Sequence, residues 1–290
     1  MHLGLHALGI AAGSDRRIIE AVSKAAEHHG FATLWAGEHV VMVDQSASRY
    51  PYADDGQIAV PPDADWVDPW IALSFAAAAT TTIGVATGVL LLPEHNPVIV
   101  AKQAASLDKL SGGRLTLGIG IGWSREEFEA LGVPFNRRSV RTAEYVDAMR
   151  TIWHHDVASF AGEFVNFTSI RVNPKPVRDR RIPIVLGGNS DAALRRVAEW
   201  GDGWYGFNLS DTDEVARCTS LIRGMCRDAG RDPGLLRLAV ALREPRPRDV
   251  RPLAEMGIDE LVLVASPPPD PADVPGFIAE LAAEWSPTPD

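Results

Sequence analysis

Cysteine is nearly missing: Cys218 and Cys226 are the only two in 290 residues. They lie eight apart in one predicted helix with no third ligand nearby, so they read as reduced thiols of a cytoplasmic protein and no metal is expected. Positive charge is in deficit as well, with 28 Lys plus Arg against 38 Asp plus Glu and a net charge of −10. No basic tract interrupts that balance, which argues against a nucleic-acid partner whose phosphates need neutralising. The apolar runs are of strand length, short of the ~20 residues of a membrane helix. Met1 to Gly13 has neither a basic n-region nor a long apolar run, so neither a signal peptide nor a membrane partner is expected. A small-molecule partner remains.

Hydrophobic residues are plentiful, at 46%. The chain is organised around Ile83 to Gly122. There an apolar run (IGVATGVLLLP) leads to Asn96-Pro97, a helix N-cap and first helical position. Val100, Ala104, Leu107 and Leu110 follow at helical spacing, Gly112-Gly113 stops the helix, and LTLGIGI supplies a second strand. Strand, crossover helix and strand make one right-handed βαβ unit.

The same alternation runs through the chain. Strands are predicted at His2 to Leu8, Phe31 to Ala36, Ile182 to Leu186, Gly203 to Phe207, Leu235 to Leu242 and Ile258 to Val264. Ser14 is read as the cap of the first helix. Further helices are expected at Pro69 to Ala79, Val140 to Trp153, after Ser190 or Asn189, at Asp213 to Ala229, at Asp249 to Met256 and at Pro271 to Glu284. Phe160 to Val172 reads as a hairpin insertion. Eight strands with no composition shift predict one α/β domain over residues 1–290, a (β/α)8 TIM barrel with insertions after strands 2 and 4. An open doubly wound sheet is the alternative. No strand ends in lysine, which disfavours a lyase or aldolase.

In a barrel the active site lies at the C-terminal strand ends, and four motifs fall on that rim. Gly187-Gly188-Asn189-Ser190 opens a helix and suits an anion, through close backbone approach, free N–H groups and the helix dipole; an ordinary turn with an N-cap fits equally. Gly118, Gly120 and Gly122 alternate inside a strand without a following helix, so a dinucleotide fingerprint is rejected. Clearing one strand face suits a flat ring, with Ile121 beside it and Trp123 as a wall; helix packing outside the barrel is the other reading. His39, beside Glu38, titrates near neutrality when unperturbed and can move a proton; a structural histidine is the plain alternative. His6 and His95 are weaker candidates, His95 as mere packing before the helix at Pro97. The long Val40 to Asp68 stretch carries Arg49, Tyr50, Tyr52 and Trp66, either as a lid over substrate or as a surface for a partner subunit.

The run ATGVLLLPEHNPVIVAKQAASLDKLSGGRLTLGIGIGWSREEFEALG, continued by PKPV, IPIVLGGNS and WGDGW, resembles the bacterial luciferase-like superfamily. The match is closest to the branch that uses the deazaflavin coenzyme F420, and it covers roughly Met1 to Ser266. The resemblance implies a homodimeric barrel oxidoreductase that moves a hydride between coenzyme F420 and an organic substrate. An FMN-dependent monooxygenase of the same superfamily is the first alternative, and a non-catalytic flavin-binding barrel the second. It further implies that Gly187 to Ser190 hold the cofactor's phosphate, that Glu38-His39 face its reactive side, and that Thr87 and Gly88 support the ring through a cis peptide between them. Glu38 stands where the family's sugar-phosphate dehydrogenases have Asp, and Trp123 where they have Glu, which argues against sugar-phosphate oxidation.

Overall fold

The structure is a computed structural model that describes residues 1–285. Strand β1 (His2–Leu8) leads through a 3-10 turn to α1 (Arg16–His28), and β2 (Thr33–Ala36) is followed by the long loop and α2 (Pro69–Ala79). Next come β3 (Gly84–Thr87), β4 (Leu90–Leu91), α3 (Pro97–Leu110) and β5 (Leu115–Gly120). An insertion of α4 (Arg125–Ala130), α5 (Arg138–His154) and the hairpin β6 (Ala158–Ala161) and β7 (Asn166–Ile170) precedes β8 (Ile184–Gly187). The chain closes through α6 (Asp191–Trp200), β9 (Gly203–Leu209), α7 (Thr212–Asp228), β10 (Arg237–Leu242), α8 (Val250–Glu255), β11 (Glu260–Val264) and α9 (Val274–Trp285).

Parallel pairing runs β2, β3, β5, β8, β9, β10, β11, β1, and β1 pairs back onto β2, so the sheet is a closed eight-position barrel rather than an open one. All strands point the same way, so every C-terminal end lies on one rim. Inside, Trp35 stacks on Tyr205 with centroids 4.4 Å apart. Ala86, Val185, Ala239, Ala241 and Val262 fill the space around them. At the opposite end, the buried Glu260 carboxylate accepts from Trp35 Nε1 at 3.0 Å and pairs with Arg237. A Cβ on Gly4 would stand 2.1 Å from Glu260 Oε1, so only glycine leaves room there.

Two local expectations are corrected. Asp15, not Ser14, caps α1 by accepting from Arg17 N and Ile18 N, because the Ser14 hydroxyl already donates to Ala11 O at 2.6 Å. The non-prolyl cis peptide lies between Gly88 and Val89, one bond later than expected. Thr87 remains in the ladder opposite Ala36, and its hydroxyl donates to Gly118 O at 2.6 Å, so the strand breaks only after it. Between the pairs Ala86↔Thr116 and Leu90↔Ile119 there are three residues, Thr87 to Val89, against two, Leu117 and Gly118. One extra residue on one strand is a β-bulge.

Candidate active site

Glu38 and His39 are neighbours in sequence but not partners. Successive residues leaving a strand point to opposite sides, and each finds its own counterpart. Glu38, 5% exposed, accepts from Leu91 N at 2.6 Å and meets His95 Nε2 at 3.0 and 3.1 Å. His95 is therefore part of the cluster rather than mere packing. Burial opposes its charge most, yet the Glu38 hydrogen bond and the negative charges of Glu38, Asp68 and Glu127 together hold its pKa above the usual value.

His39 turns the other way and meets Glu127 Oε2 through Nδ1 at 2.8 Å. The second oxygen of Glu127 accepts from Val40 N at 2.7 Å and Val41 N at 3.1 Å, so the fully buried carboxylate fixes both the imidazole and the start of the loop. Edge-on contacts with Trp66 at 5.0 Å and Trp123 at 5.7 Å lock the ring further. Sequence reasoning missed Glu127, since no helix is expected in the stretch after Trp123, where α4 lies. Ser124-Arg125-Glu126-Glu127 spells a capping box, in which the glutamate would serve its own helix. Ser124 does cap α4, but the Glu127 carboxylate is spent on residues 86 to 88 positions earlier.

Between these two pairs stands a third carboxyl, also missed. Glu94 is 7% exposed and neither of its oxygens has a hydrogen-bond partner among the described residues. Burial, then the negative charges of Glu127 and Glu38, raise its pKa to about 9. His6, deeper in the barrel, is driven the opposite way: burial lowers it to about 4, and its Nδ1 lies 3.1 Å from the Tyr205 hydroxyl.

The strand glycines serve the bulge. A Cβ on Gly118 would lie 2.0 Å from Thr87 O, and one on Gly120 would lie 2.7 Å from Val89 Cγ2. Val89 also comes within 3.0 Å of a Cβ built on Gly187, so its side chain forms a floor between the ends of β5 and β8. Packing against the neighbouring strand thus requires glycine at 118 and 120, whereas Gly122 lies beyond β5 with φ of +74°, and a Cβ there would stand 2.6 Å from Phe128 of α4. Gly188 has φ of +108°, and a Cβ there would collide with Ala193 at 2.8 Å. The donors expected of Asn189 and Ser190 are partly committed. Asn189 Nδ2 donates to Phe207 O at 2.8 Å, and the Ser190 oxygen accepts from Ala193 N as the cap of α6.

The long loop lies over this mouth. Tyr50 packs on Trp123 at 5.3 Å and on Tyr52 at 5.4 Å, and Tyr52 reaches Phe207 at 5.7 Å. Asn208 Nδ2 donates to Tyr52 O at 2.7 Å, and Trp66 Nε1 donates to Gly37 O at 3.1 Å, fastening the loop at two points. Arg49 is exposed, and its Nη2 donates to Asp54 O at 3.1 Å in the turn closed at Gly56.

A polar ring carrying an anion fits these residues. Among the described residues, four of the six buried side-chain atoms that have no partner belong to Glu94, Trp123 and Asn189, all on this rim. The mouth of the barrel is thus aromatic-walled, with two carboxylate–imidazole pairs and a glycine-rich turn at a helix N-terminus. Residues 2–244 match the family model for luciferase-like monooxygenases, and the chain belongs to that family. An uncharacterized protein of Mycobacterium tuberculosis is 34% identical over 287 residues, covering 98% of each chain. An FMNH2-dependent dimethylsulfone monooxygenase of Pseudomonas putida is 30% identical over 209 residues, covering 70% of this chain and 54% of its own. An F420-dependent secondary alcohol dehydrogenase, solved with an F420-acetone adduct, superposes with a TM-score of 0.75 at 17% identity, covering 98% of this chain and 99% of that one. The family makes the chain a luciferase-like oxidoreductase or monooxygenase. Among the described residues no helix is long and apolar enough to cross a membrane, and no group of His, Cys, Asp and Glu is arranged to hold a metal ion.

Proposed function

We propose that the protein is a coenzyme F420-dependent oxidoreductase that transfers a hydride between the deazaflavin and a small alcohol or carbonyl substrate. The observation that carries this reading is the Glu127–His39 pair, an imidazole oriented by a buried carboxylate on the rim. A bound deazaflavin supplies the hydride acceptor or donor. The chain's own residues would do the rest. Gly187, Gly188 and the N-terminus of α6, with Asn189 and Ser190, would hold the phosphate. Val89, Thr87 and Gly88 with Gly120, Ile121 and Gly122 would floor the ring, and Trp123 would wall it. Tyr50, Tyr52 and Trp66 would exclude water, and His39 Nε2 would take or return the hydroxyl proton. Arg49, exposed on the same loop, would reach the substrate with the donors that its bond to Asp54 O leaves over.

The second reading, an FMN-dependent monooxygenase, is favoured by the 30% identity to the dimethylsulfone enzyme. Titration of the purified protein with each cofactor separates the two. The expected result is micromolar or tighter affinity for coenzyme F420 and clearly weaker affinity for FMN. Equal or tighter FMN binding with oxygen-dependent turnover would move the assignment to the monooxygenase.

The protein is also proposed to act as a homodimer. Helix α2 (PWIALSFAAAA) carries apolar residues on its outer face as well as its inner one, with Ile71 54% and Phe75 48% exposed, and Ile99 at the start of α3 is 58% exposed. A helix apolar all round belongs in an interior. Sedimentation should give twice the 31.3 kDa chain mass at micromolar concentration, and Phe75→Glu should shift the protein toward one chain. A parent that sediments as a single chain would contradict the dimer.

A further inference from the structure

His6 lies near the C-terminal end of β1, opposite Trp35 of β2, and is 7% exposed. One side of its ring is fixed from within the barrel. Nδ1 lies 3.1 Å from the hydroxyl of Tyr205, which is fully buried and stacked on Trp35 with 14° between the planes. Trp35 is anchored in turn through Nε1 to the Glu260 carboxylate. The phenol is therefore held from the far end of the barrel, and it holds the imidazole.

The direction of that bond follows from what each group can do. Burial raises the Tyr205 pKa well above its ordinary value, so the hydroxyl keeps its proton. It has no other partner among the described residues, and a buried O–H that donates to nothing bears its full desolvation cost. Nδ1 therefore accepts. Burial lowers the His6 pKa to about 4, so near pH 7 the ring is neutral. A neutral imidazole that accepts at Nδ1 carries its one proton on Nε2. That nitrogen faces the mouth: a Cβ on Gly37 would lie 3.4 Å from Nε2, and one on Gly88 3.3 Å from Cε1. These glycines follow the C-terminal ends of β2 and β3, and the Phe207 ring of β9 lies 6.0 Å away. Nε2 has no partner among the described residues and, unlike the Glu94 oxygens and the Trp123 nitrogen, it is not sealed inside. His39 differs, since its Nδ1 partner is a carboxylate. A ring held by a carboxylate can take and return a proton, whereas a neutral ring held by a phenol lends only a hydrogen bond.

We propose that His6 is a specificity-determining residue whose Nε2–H donates to an acceptor oxygen of an uncharged substrate, with Tyr205 as the positioning residue that fixes its tautomer. This role rests on the cofactor reading above for its reaction and narrows the substrate that the reading left open. Ketones, amides and neutral alcohols supply the acceptor between Gly37, Gly88 and Phe207. An ammonium group of the same shape brings only donors to face an N–H, and loses its hydration without a counter-charge.

The test combines heteronuclear NMR of histidine-labelled protein with calorimetric binding, for the parent, Tyr205→Phe, His6→Leu and His6→Gln. The probes are cyclohexanone and cyclohexylammonium, added to the protein alone and to the protein with coenzyme F420. In the parent near pH 7, His6 should show the neutral form with its proton on Nε2. Cyclohexanone should move that signal saturably, and cyclohexylammonium should leave it in place. His6→Leu should weaken cyclohexanone binding roughly three- to tenfold, the worth of one net hydrogen bond, and His6→Gln should recover part of it through its amide N–H. Tyr205→Phe keeps the ring stack and should let the His6 proton divide between the two nitrogens, a change that mere loss of packing would not produce. A His6 charged near pH 7, or neutral with its proton on Nδ1, would overturn the donor and leave the cofactor reading intact. So would unchanged ketone affinity in His6→Leu, or an Nε2–H signal indifferent to cyclohexanone both with and without coenzyme F420. A His6 that responds to the ketone in a protein that binds no coenzyme F420 would keep the donor and remove the cofactor reading.

Discussion

Replacing His39 by alanine is expected to lower turnover by on the order of 10²–10⁴, the range for a lost general acid or base, while cofactor affinity stays within a few-fold. The imidazole is held by the Glu127 carboxylate at Nδ1 and edge-on by Trp66 and Trp123, which leaves Nε2 free for the reacting hydroxyl. A hydride leaving carbon makes the adjacent O–H acidic, and a base in place at that moment removes the need to form an oxocarbenium or alkoxide unaided. Glu127→Gln should fall between parent and His39→Ala. It keeps the shape and the acceptor for Val40 N and Val41 N, but replaces a charged partner by a neutral one that no longer favours the imidazolium. Rapid-mixing measurement of the cofactor's absorbance change isolates the transfer step from binding. Rates in His39→Ala within a few-fold of the parent would make His39 a packing residue between two indoles, and the proton would have to move elsewhere.

The barrel was readable because its signals are local. The run from Ile83 to Gly122 shows a strand, an Asn-Pro helix start, a helical apolar period, a double-glycine stop and a second strand. β1, α2 and α3 fall where the periodicity puts them. The rim motifs were readable too, since the parallel barrel alone places every strand's C-terminal end together. The pairing on that rim was not readable. Glu38 and His39 suggest a dyad by adjacency, yet the chain alternates direction, so Glu38 meets His95 and His39 meets Glu127, 57 and 88 residues away. Nothing local marks such partners. The glycine alternation misled in a related way. For Gly118 and Gly120 the cause is the bulge on the neighbouring strand, which only the register between β3, β4 and β5 reveals.

Glu94 gives the second large effect, on stability rather than rate. In the unfolded chain its carboxyl titrates near the ordinary value of 4.5, and in the folded protein near 9. Below the lower value both states hold the proton and the residue is neutral in effect. Between the two values the unfolded chain has released the proton and the folded protein has kept it, so folding takes up a proton. Stability therefore falls as pH rises through that window, by at most about 1.4 kcal/mol per pH unit. Above the folded value the loss is complete and constant. Glu94→Gln has the same shape, no charge and no titration. It should match the parent near pH 4.5, and exceed it by a few kcal/mol at pH 8, with the gap widening steadily between. Denaturant unfolding of both proteins at several pH values checks this directly, and a protonated-carboxyl vibrational band present at neutral pH in the parent and absent from the variant checks the cause. The groups around Glu94 limit the effect. His95, held above its usual pKa, brings a positive charge near Glu38, and its loss of a proton at higher pH would deepen the penalty on an ionised Glu94. A gap that stays the same at every pH would mean that Glu94 is ionised at neutrality or reached by solvent. The cluster at the mouth would then carry three negative carboxylates instead of two and an acid.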